Sequence, residues 1–535
     1  MFRLVKYRAN NGLDLGQSRN CRMGQMRTAL TCLLLSVLSG LSFADEKVVF
    51  QCDFDRSDAP GGDAGKLVAG FEGGRSLLIE QAGAGSLSRR FPIDAEQLTD
   101  RMATLKAVVK AERVSDPPNS WNGIKVMLVL ENSSGSKQYP QIQIATGTFD
   151  WQLMAQTVRL PRDIKRAWLV VGLEDVSGAA WFDNLQVTAG RPARRARRSE
   201  TRFTGHDLPR LRGVMYGPSF RQDDIEDLAV EWNANQIRWQ LNWTPMKQAE
   251  EWAKDLDAYD RWLAGALDEC DKALAACQKY GIKVLVDLHT PPGGRAGGGV
   301  CRMFQEKRYQ DKLIEVWNKI AARYKGRQVV YAYDLLNEAV EGVVADGLLN
   351  WADLATEAAK AIRAVDPGKP VVFEPSPWGG PDGFDTLEPL DLDRVIYSFH
   401  MYRPHSFTHQ GVYDNKTGIA YPGRIGGEFW DKERLREEML PAIEFQEVFN
   451  VQIYVGEFSV IRWAPGDSGY NYLHDVINLF EEYGWDWSYH AFREWDGWSV
   501  EHGPNRNDRN PAQEPTKRMQ LLLQWFAKNR LTQAP

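Results

Sequence analysis

Two glutamates close hydrophobic, strand-like segments of this 535-residue chain. Glu338 ends the segment YAYDLLNE, and Glu457 ends the segment IYVGE. Because unpaired acids are rarely buried, such residues are expected either to form ion pairs or to take part in chemistry. Hydrolysis of an acetal uses one protonated carboxyl group at the leaving oxygen and one carboxylate at the anomeric carbon. The pair therefore indicates glycoside hydrolysis, with ion pairing as the alternative for either residue alone.

Polar and aromatic side chains stand at the ends of the neighbouring strand-like segments. Arginine and histidine can hold the charge of a carboxylate, and an indole ring can stack on a sugar. Because such residues accompany both glutamates, the pattern favours one catalytic centre over two separate ion pairs. The residues are Arg238, Trp239, Asn242, His289, Asn337, Trp378, His400, Tyr402 and Trp495.

Eight strand-like segments must position these residues, and helical patterns lie between and after them. Alternation of strands and helices over 211–535 predicts an α/β fold, a (β/α)8 TIM barrel, in which reactive side chains lie at the C-terminal ends of the strands. The strand-like segments are 211–217, 234–241, 282–290, 329–337, 371–376, 394–402, 452–459 and 485–492. The helical patterns include 258–280, 309–325, 434–449, 470–483 and 515–528.

Short motifs across about 211–530 resemble those of glycoside hydrolase family 5, the cellulase family of clan A. LLNE at 335–338 and VGEFS at 455–459 resemble the acid/base and nucleophile motifs of that family. The other matching positions are IRW around Arg238, DLH around His289, FHMY around His400 and Tyr402, and the late Trp495. The resemblance implies that Glu338 protonates the glycosidic oxygen and later activates water, while Glu457 attacks the anomeric carbon.

The same resemblance assigns roles around the nucleophile. Arg238 would keep Glu457 ionised by charge pairing, and Tyr402 would orient it by a hydrogen bond. Asn337 would hold the sugar 2-hydroxyl, a contact that strengthens toward the transition state. The other positions would bind sugar: His289 and His400 near the cleavage point, Trp495 as the stacking floor, and Trp378 and Trp463 as outer platforms.

The motifs leave the identity of the sugar open. A Gly-rich insertion, PPGGRAGGGV at 291–300, and a long segment, RPHSFTHQG at 403–411, depart from the simplest family members and could build or block subsites. We expect a retaining enzyme that needs no cofactor and attacks a β-1,4-glucan internally. A β-mannanase, a xyloglucanase and an exo-β-glucosidase are alternatives on the same barrel.

Two other classes of protein fit parts of the pattern. His400, His405 and His409 lie within ten residues, and His289 and Asp287 precede them in barrel order, which allows a metal-dependent hydrolase. Their spacing matches no compact ligand motif, so no metal site is predicted in the barrel. A non-catalytic carbohydrate-binding protein is the second alternative, and loss of either Glu338 or Glu457 would have indicated it.

The first part of the mature chain has a different pattern. Short alternating segments separated by Gly, Ser, Asp and Pro over 45–190 predict a β-sandwich. The region resembles the jelly roll of carbohydrate-binding modules, with Trp121 and Tyr139 near loops as candidate sugar contacts. Oxygen ligands from terminal strands could also hold a structural calcium ion. The candidate ligands are Asp53, Asp55 and Asp183.

An Arg-rich stretch joins the two parts. Residues 191–212 hold eight arginines against Glu200 and Asp207, so we expect a solvated linker at 191–210 rather than a nucleic-acid-binding patch. Trypsin should cut there and release a barrel that begins near Leu211.

The first 44 residues are expected to form a signal peptide. Arg27 precedes an apolar run at 29–43, and Ser42 and Ala44 suit cleavage before Asp45. Residues 1–22 look like an extension before the real start. Cleavage takes six basic residues and one acid from a chain of net charge −6, which leaves −11 and argues against nucleic-acid partners. We expect a secreted monomer, extracellular or periplasmic, with no membrane contact after cleavage and a polysaccharide or oligosaccharide substrate.

Overall fold

The computed structural model describes residues 44–55, 64–133, 135, 137–161, 163–191, 205–414 and 416–530. Residues 1–43 of the expected signal peptide and residues 192–204 of the expected linker lie outside the described residues. Within the described part of the chain, no helix is both long and apolar enough to cross a membrane.

Residues 44–191 of the described chain form a β-sandwich. One sheet has the order β2-β3-β10-β5-β8 with β1 paired to β10, and the other has the order β4-β9-β6-β7. All pairings within these sheets are antiparallel. The strands are β1 (Ala44–Cys52), β2 (Lys66–Ala69), β3 (Arg75–Gln81), β4 (Ser86–Ile93), β5 (Met102–Val114), β6 (Gly123–Glu131), β7 (Lys137–Gln138), β8 (Gly147–Arg159), β9 (Arg166–Glu174) and β10 (Gly178–Arg191).

Alternating side chains explain why the two sheets pack face to face. Leu77 and Ile79 of β3 are fully buried, and so are Leu169, Val171 and Leu173 of β9. Every second residue of a strand points to the same face, so each of these sets presents one apolar face to the opposite sheet. The sandwich core is consequently made of aliphatic and aromatic side chains from both sheets.

The rest of the described chain contains a closed barrel of eight parallel strands, in the order β11-β12-β13-β14-β15-β16-β19-β20. This confirms the predicted (β/α)8 fold, and each observed strand lies within its predicted segment. The barrel strands are β11 (Arg212–Tyr216), β12 (Gln236–Gln240), β13 (Lys283–Asp287), β14 (Val330–Asp334), β15 (Val371–Phe373), β16 (Val395–Met401), β19 (Gln452–Phe458) and β20 (Asp486–Phe492). A small antiparallel hairpin, β17 (Gly423–Ile425) with β18 (Glu428–Trp430), follows the sixth barrel strand.

Helices surround the barrel, and polar caps mark several of their ends. The longest helix, α3, begins after Asp255, whose side chain accepts hydrogen bonds from the amides of Asp257 and Ala258, and it ends at Gly281 in the left-handed conformation. The helices are α1 (Gln222–Val230), α2 (Met246–Trp252), α3 (Leu256–Tyr280), α4 (Lys307–Tyr324), α5 (Trp351–Val365), α6 (His405–Thr408), α7 (Lys432–Phe449), α8 (Ser468–Tyr483) and α9 (Lys517–Phe526). Short 3-10 turns occur at Phe71–Gly73, Ala95–Gln97, Gly297–Gly299, Arg302–Phe304 and Pro381–Asp385.

The sandwich packs against the loops that follow the barrel strands. Arg159 of β8 forms a two-pronged ion pair with Asp385, with its closest contact at 2.6 Å. A side chain at Gly297 would lie 2.4 Å from the hydroxyl of Thr146, so the Gly-rich insertion runs directly against the sandwich. A small apolar cluster spans the same contact and consists of Ala145, Val300 and Val340 with Trp378. The sandwich therefore lies on the face of the barrel where catalytic residues are expected.

Candidate active site

A fully buried arginine lies at the centre of the strand ends. Arg238 of β12 donates hydrogen bonds to Glu457 Oε1 at 2.7 Å, to Glu374 Oε1 at 2.8 Å and to Asp334 Oδ2 at 2.9 Å. Its Nη2 atom also lies 3.2 Å from Asp287 Oδ1. These four acids come from four different strands or strand ends, so the rigid guanidinium fork fixes their relative positions.

Four acids around one arginine cannot all stay ionised at low cost. Burial raises the pKa of Asp334 well above its ordinary value, and nearby Glu374 and Asp287 add to the rise against the opposing effect of Arg238. Burial also acts to raise the pKa of Glu374, but His400 and Arg238 outweigh it and lower that pKa. Of these two acids, Asp334 is therefore the one in which the protonated form is favoured, and Glu374 is the one in which the carboxylate is favoured.

Glu457 is held as a carboxylate by several donors. Besides Arg238, the hydroxyl of Tyr402 donates to its Oε2 at 2.9 Å, and His490 Nδ1 lies 3.2 Å from the same oxygen. Burial alone would raise the pKa of Glu457, but the charges of His400 and His490 hold it well below its usual range. The side chain thus has the ionised form that a nucleophile needs.

Glu338 faces the opening of the site. Its side chain is 27% exposed, against 5% for Glu457. Its backbone has a φ of +48°, a left-handed conformation that is uncommon outside glycine. Two contacts hold this backbone: the Glu338 amide donates to Glu374 Oε2 at 2.8 Å, and Arg295 donates to the Glu338 carbonyl at 3.0 Å. The Glu338 backbone is therefore held in place, while its carboxyl group stays accessible to solvent.

His400 links the two glutamates. Its Nδ1 lies 2.9 Å from Glu338 Oε1 and 3.7 Å from Glu457 Oε2, and its Nε2 lies 3.1 Å from Glu374 Oε1. Burial would lower the pKa of His400, but Glu374 and Glu457 raise it well above its ordinary value, which favours the cationic form of the ring. One oxygen of Glu338 and one of Glu457 lie within 4.8 Å of each other around this ring.

Asn337 and His289 form a second pair of fixed polar groups. Asn337 Oδ1 accepts a hydrogen bond from Arg238 at 3.1 Å, which leaves its amide nitrogen facing His289 Nε2 at 3.3 Å. His289 Nδ1 in turn lies 2.8 Å from Asp287 Oδ2. The chain of contacts orients both side chains beside Glu338.

A cavity of about 470 Å³ opens on the Glu338 side of the site. Its barrel wall includes Asn337, His289 and Trp378, and the guanidinium of Arg295 lies 5.3 Å from the centre of the Trp378 ring. The opposite wall comes from the sandwich, at residues 116–120.

Comparison with known proteins identifies this arrangement. Residues 195–494 match the family described as Cellulase (glycosyl hydrolase family 5). The chain belongs to glycosyl hydrolase family 5. It is a glycoside hydrolase, which confirms the predicted family and enzyme class, and its substrate is a carbohydrate.

Relatives of this family 5 enzyme include Endoglucanase C of Acetivibrio thermocellus, 32% identical over 262 residues that cover 44% of this chain and 75% of that protein. Cellodextrinase A of Ruminococcus flavefaciens is 26% identical over 276 residues, covering 49% of this chain and 76% of that protein. Among solved structures, Thermotoga maritima Cel5A in complex with cellobiose, in a mutant form, is 20% identical, with a TM-score of 0.46 over 58% of this chain and 96% of that chain.

The aromatic residues around Trp495 in this family 5 enzyme include one ring that the sequence analysis did not name. The Trp495 ring lies 5.4 Å from Trp498 and 6.2 Å from Trp463, and it is 37% exposed. Trp498 is the ring beside the catalytic groups, 5.7 Å from Tyr402 and 6.0 Å from the His490 ring. Trp495 thus packs between Trp498 and Trp463, its role as a stacking surface stays a prediction, and the indole next to the Glu457 partners is one that the sequence reasoning did not single out.

Several buried groups of the site were also missed from the sequence. Glu374 directly follows β15, so it shows the same signal as Glu338 and Glu457, an acid at the end of a hydrophobic strand. His490 lies inside β20, and although burial would lower its pKa, Glu457 raises it to about 10. Glu494 lies 3.5 Å from His490 Nε2. His490 lies inside its strand in the sequence pattern, whereas Glu494 follows the end of that strand by two residues.

The histidines of the metal-dependent alternative do not come together with His289. The His405 and His409 rings stack at 4.5 Å, and His409 packs against Tyr402 and Trp498. Burial lowers the pKa of His409 to about 3, so its ring is neutral. Among the described residues, the group of three or more ligand-type side chains whose atoms lie within 4.8 Å is Glu338 with His400 and Glu457. The five-residue cluster behind that alternative is not formed.

The three acids suggested as calcium ligands lie in the sandwich, where their carboxylates accept hydrogen bonds from backbone amides. Asp183 accepts hydrogen bonds from the amides of Phe71 at 3.1 Å and Asn184 at 2.7 Å. Asp55 accepts from the amide of Arg75 at 2.6 Å, and the Asp55 amide donates to Asp53 at 3.2 Å. These acids are not among the described groups with ligand atoms within 4.8 Å. A calcium ion there stays a prediction.

The four cysteines in the described residues are free and buried.

Proposed function

We propose that this family 5 enzyme is a retaining endo-acting β-1,4-glucanase with Glu338 as acid/base and Glu457 as nucleophile. The observation that carries the proposal is the separation of the two acids, whose nearest oxygens lie within 4.8 Å on either side of His400. Retaining glycosidases hold their two carboxyl groups about 5 Å apart, whereas inverting enzymes leave roughly 6.5–9.5 Å for a water molecule.

The first chemical step forms a covalent intermediate. The Glu457 carboxylate attacks the anomeric carbon while Glu338 gives its proton to the glycosidic oxygen, so the bond to the leaving sugar breaks as the glycosyl ester forms. Tyr402 and His490 hold Glu457 Oε2 in place, and Arg238 holds Oε1. In the second step Glu338 removes a proton from water, the water oxygen bonds to the anomeric carbon, and Glu457 leaves with its original charge.

Asn337 and His289 fit the role of sugar contacts near the bond that is cleaved. Their side chains are held by Arg238 and Asp287, and both line the cavity beside Glu338. A hydrogen bond from a fixed amide to the sugar 2-hydroxyl strengthens as positive charge develops at the anomeric carbon. Preorganised donors of this kind lower the barrier because they do not have to reorient during the reaction.

The names of the relatives support β-1,4-glucan and its oligosaccharides as substrates, since they include an endoglucanase and a cellodextrinase. The test is a panel of soluble β-glucans, mannan, xyloglucan and aryl β-glycosides, with new reducing ends measured on each. We expect the highest kcat/KM on a mixed-linkage or carboxymethylated β-1,4-glucan, with an early fall in viscosity. Preference for mannan or xyloglucan, or release of glucose alone from chain ends, would contradict this substrate assignment.

We also propose the chain organisation expected from the sequence. Residues 1–44 would be a signal peptide, 45–190 the sandwich, 191–210 a linker and 211–535 the catalytic barrel. The apolar run after Arg27 supports export, and the mature enzyme is expected to be a monomer outside the cell or in the periplasm. N-terminal sequencing of the exported protein should give Asp45, and light scattering should give the mass of one chain. A start at another residue would contradict the signal-peptide assignment, and the mass of a dimer would contradict the monomer.

A further inference from the structure

A sandwich loop and the acid/base candidate face the same cavity. Residues 116–120 line it together with Glu338 and Asn337, whereas Glu457 is not among its lining residues. In the proposed mechanism Glu338 stands beside the leaving group, and Glu457 attacks the anomeric carbon from the other face. The sandwich therefore closes the site on the side where the departing sugar lies.

Buried polar contacts hold this loop in one conformation. Asn119 donates to Asn122 Oδ1 at 3.0 Å, and Asn122 donates to Glu174 at 3.2 Å. Lys125, which is almost fully buried, pairs with Glu174 at 2.6 Å and also donates to the carbonyl of Trp121. Such a network makes a loop rigid because breaking any contact leaves a buried polar group unsatisfied.

The barrel residues on the other side of this contact also pack closely against the sandwich. A side chain at Gly297 would lie 2.9 Å from Pro117, and one at Gly298 would lie 3.1 Å from the carbonyl of Ile144. The Gly-rich insertion thus brings the barrel backbone directly onto the sandwich, and the loop is held in place relative to Glu338.

Two exposed aromatic rings meet across the contact. Trp121, directly after the lining residues, is 50% exposed, and Tyr413 of the barrel is 75% exposed. Their ring centres are 6.4 Å apart at an angle of 72°, and the His409 ring stacks on Tyr413 at 6.0 Å. The His409 ring also packs against Tyr402, at 5.2 Å, which locates the Tyr413 ring near the catalytic groups. Exposed, positioned aromatic rings are the surfaces on which sugar rings stack.

We propose that Trp121 of the sandwich and Tyr413 of the barrel together form the subsite for the leaving-group sugar, a β-linked glucosyl unit. The inference rests on the proposed function. It makes the sandwich a part of the catalytic site, although the sandwich lies outside the residues that match the family. An aromatic platform built from two parts of the chain would bind the departing sugar only while both are in contact.

The test compares two substrates that differ only on the leaving-group side. Cellotetraose places sugars there, whereas β-cellobiosyl fluoride leaves the subsite empty because its leaving group is a single ion. For Trp121→Ala and for Tyr413→Ala we expect kcat/KM on cellotetraose to fall about tenfold, the loss of one stacking contact, and kcat/KM on the fluoride to stay within about twofold.

The matched control is an exposed aromatic residue elsewhere. Phe429 of the hairpin is 57% exposed. Phe429→Ala should leave the rates on both substrates unaffected, and Trp121→Phe should keep most of the cellotetraose activity. Melting temperatures of all variants should match that of the wild type.

Equal losses on the two substrates, or an unchanged rate on cellotetraose, would overturn the subsite. The wild-type rates separately test the proposed function. If the wild type cleaves another glycan faster than cellotetraose, the same ratio is measured with that glycan and its glycosyl fluoride. A selective loss there supports the subsite while the β-glucan assignment fails, and an equal loss overturns it.

Discussion

The sandwich and the barrel use their buried space in opposite ways. The sandwich core is made of apolar side chains, and ion pairs such as Lys66 with Glu80 stay exposed, at 63% and 54% of their side chains. The barrel instead buries Arg238, Asp287 and Glu374 completely at its strand ends. Burial of charge costs stability unless each charge is paired, so a protein keeps it where chemistry requires it. A cluster of several fully buried charges, unlike single buried residues such as Lys125 and Asp183 of the sandwich, thus indicates the location of function within the chain.

The largest expected effect tests this contrast at two arginines. Arg238→Met leaves its acid partners buried without a counter-charge, so we expect a loss of about 3–5 kcal/mol in the free energy of unfolding, together with loss of activity. The matched change in the sandwich is Arg113→Met, because Arg113 is 85% exposed and pairs with Glu112, which is 48% exposed. That variant should lose less than about 1 kcal/mol, as exposed pairs do. Urea unfolding measures both, and equal losses would contradict the contrast.

A second expected effect concerns a positioning residue. Glu374 holds Arg238, His400 and the amide of Glu338. Glu374→Gln should lower kcat by about 10–100-fold with little change in KM, because both catalytic glutamates lose a fixed neighbour. It should also lower the pKa of His400, since Glu374 is the charge that raises that pKa most.

The pH profile separates positioning from simple destabilisation. With a lower pKa for His400, the alkaline limb of kcat should move to lower pH in Glu374→Gln and stay in place in the exposed sandwich control Glu80→Gln. An unchanged limb, or a higher KM with normal kcat, would show that Glu374 has no positioning role.

The smallest expected effect lies in the sandwich, at its buried acid. Burial, with Asp55 and Asp53 nearby, raises the pKa of Asp183 to about 6 from 3.8. Because the folded pKa lies above the unfolded one, the ionised form is disfavoured in the fold, and stability should rise as the pH falls through 6. With chelator present, we expect a gain of about 1–3 kcal/mol between pH 7 and pH 5 for the wild type.

Asp183→Asn is the control, and its stability should vary less over this range. If the three acids of this region hold calcium, added calcium should raise the melting temperature at pH 7 and have a smaller effect at pH 5. No effect of calcium at either pH would exclude the predicted calcium site. If the stability of the wild type falls from pH 7 to pH 5 as much as that of Asp183→Asn, the result would contradict the raised pKa of Asp183.

The barrel could be predicted from the sequence because its strands are nearly continuous apolar runs with polar residues directly after them. Glu338 and Glu457 are visible for that reason, since an acid at the end of a buried strand stands out. Glu374 carries the same signal, but the neighbouring Trp378 drew the prediction to a stacking role. His490 could not be found in this way because it lies within its strand, and only the tertiary structure brings it to Glu457.

The aromatic groups show a second limit of sequence reasoning. Trp495 and Trp498 are separated by Asp496 and Gly497, and a side chain at Gly497 would lie 2.5 Å from the Trp495 ring. The local turn decides which indole faces Tyr402, and spacing alone does not describe it. The Gly-rich insertion at 291–300 was recognised as unusual, but its partner in the sandwich lies more than 140 residues away in the sequence. Contacts between such distant segments depend on the packed fold.

The roles of the two glutamates are tested most directly by azide rescue on an activated aryl β-cellobioside, with the product anomer read by NMR. Glu338→Ala should keep measurable activity, because the aryl group leaves without a proton, and azide should raise the rate and give the β-glycosyl azide. Glu457→Ala should lose nearly all turnover, and azide should give the α-glycosyl azide because it then attacks the substrate directly. Exchanged products would reverse the two roles, and near wild-type rates in both variants would contradict the paired-carboxylate mechanism.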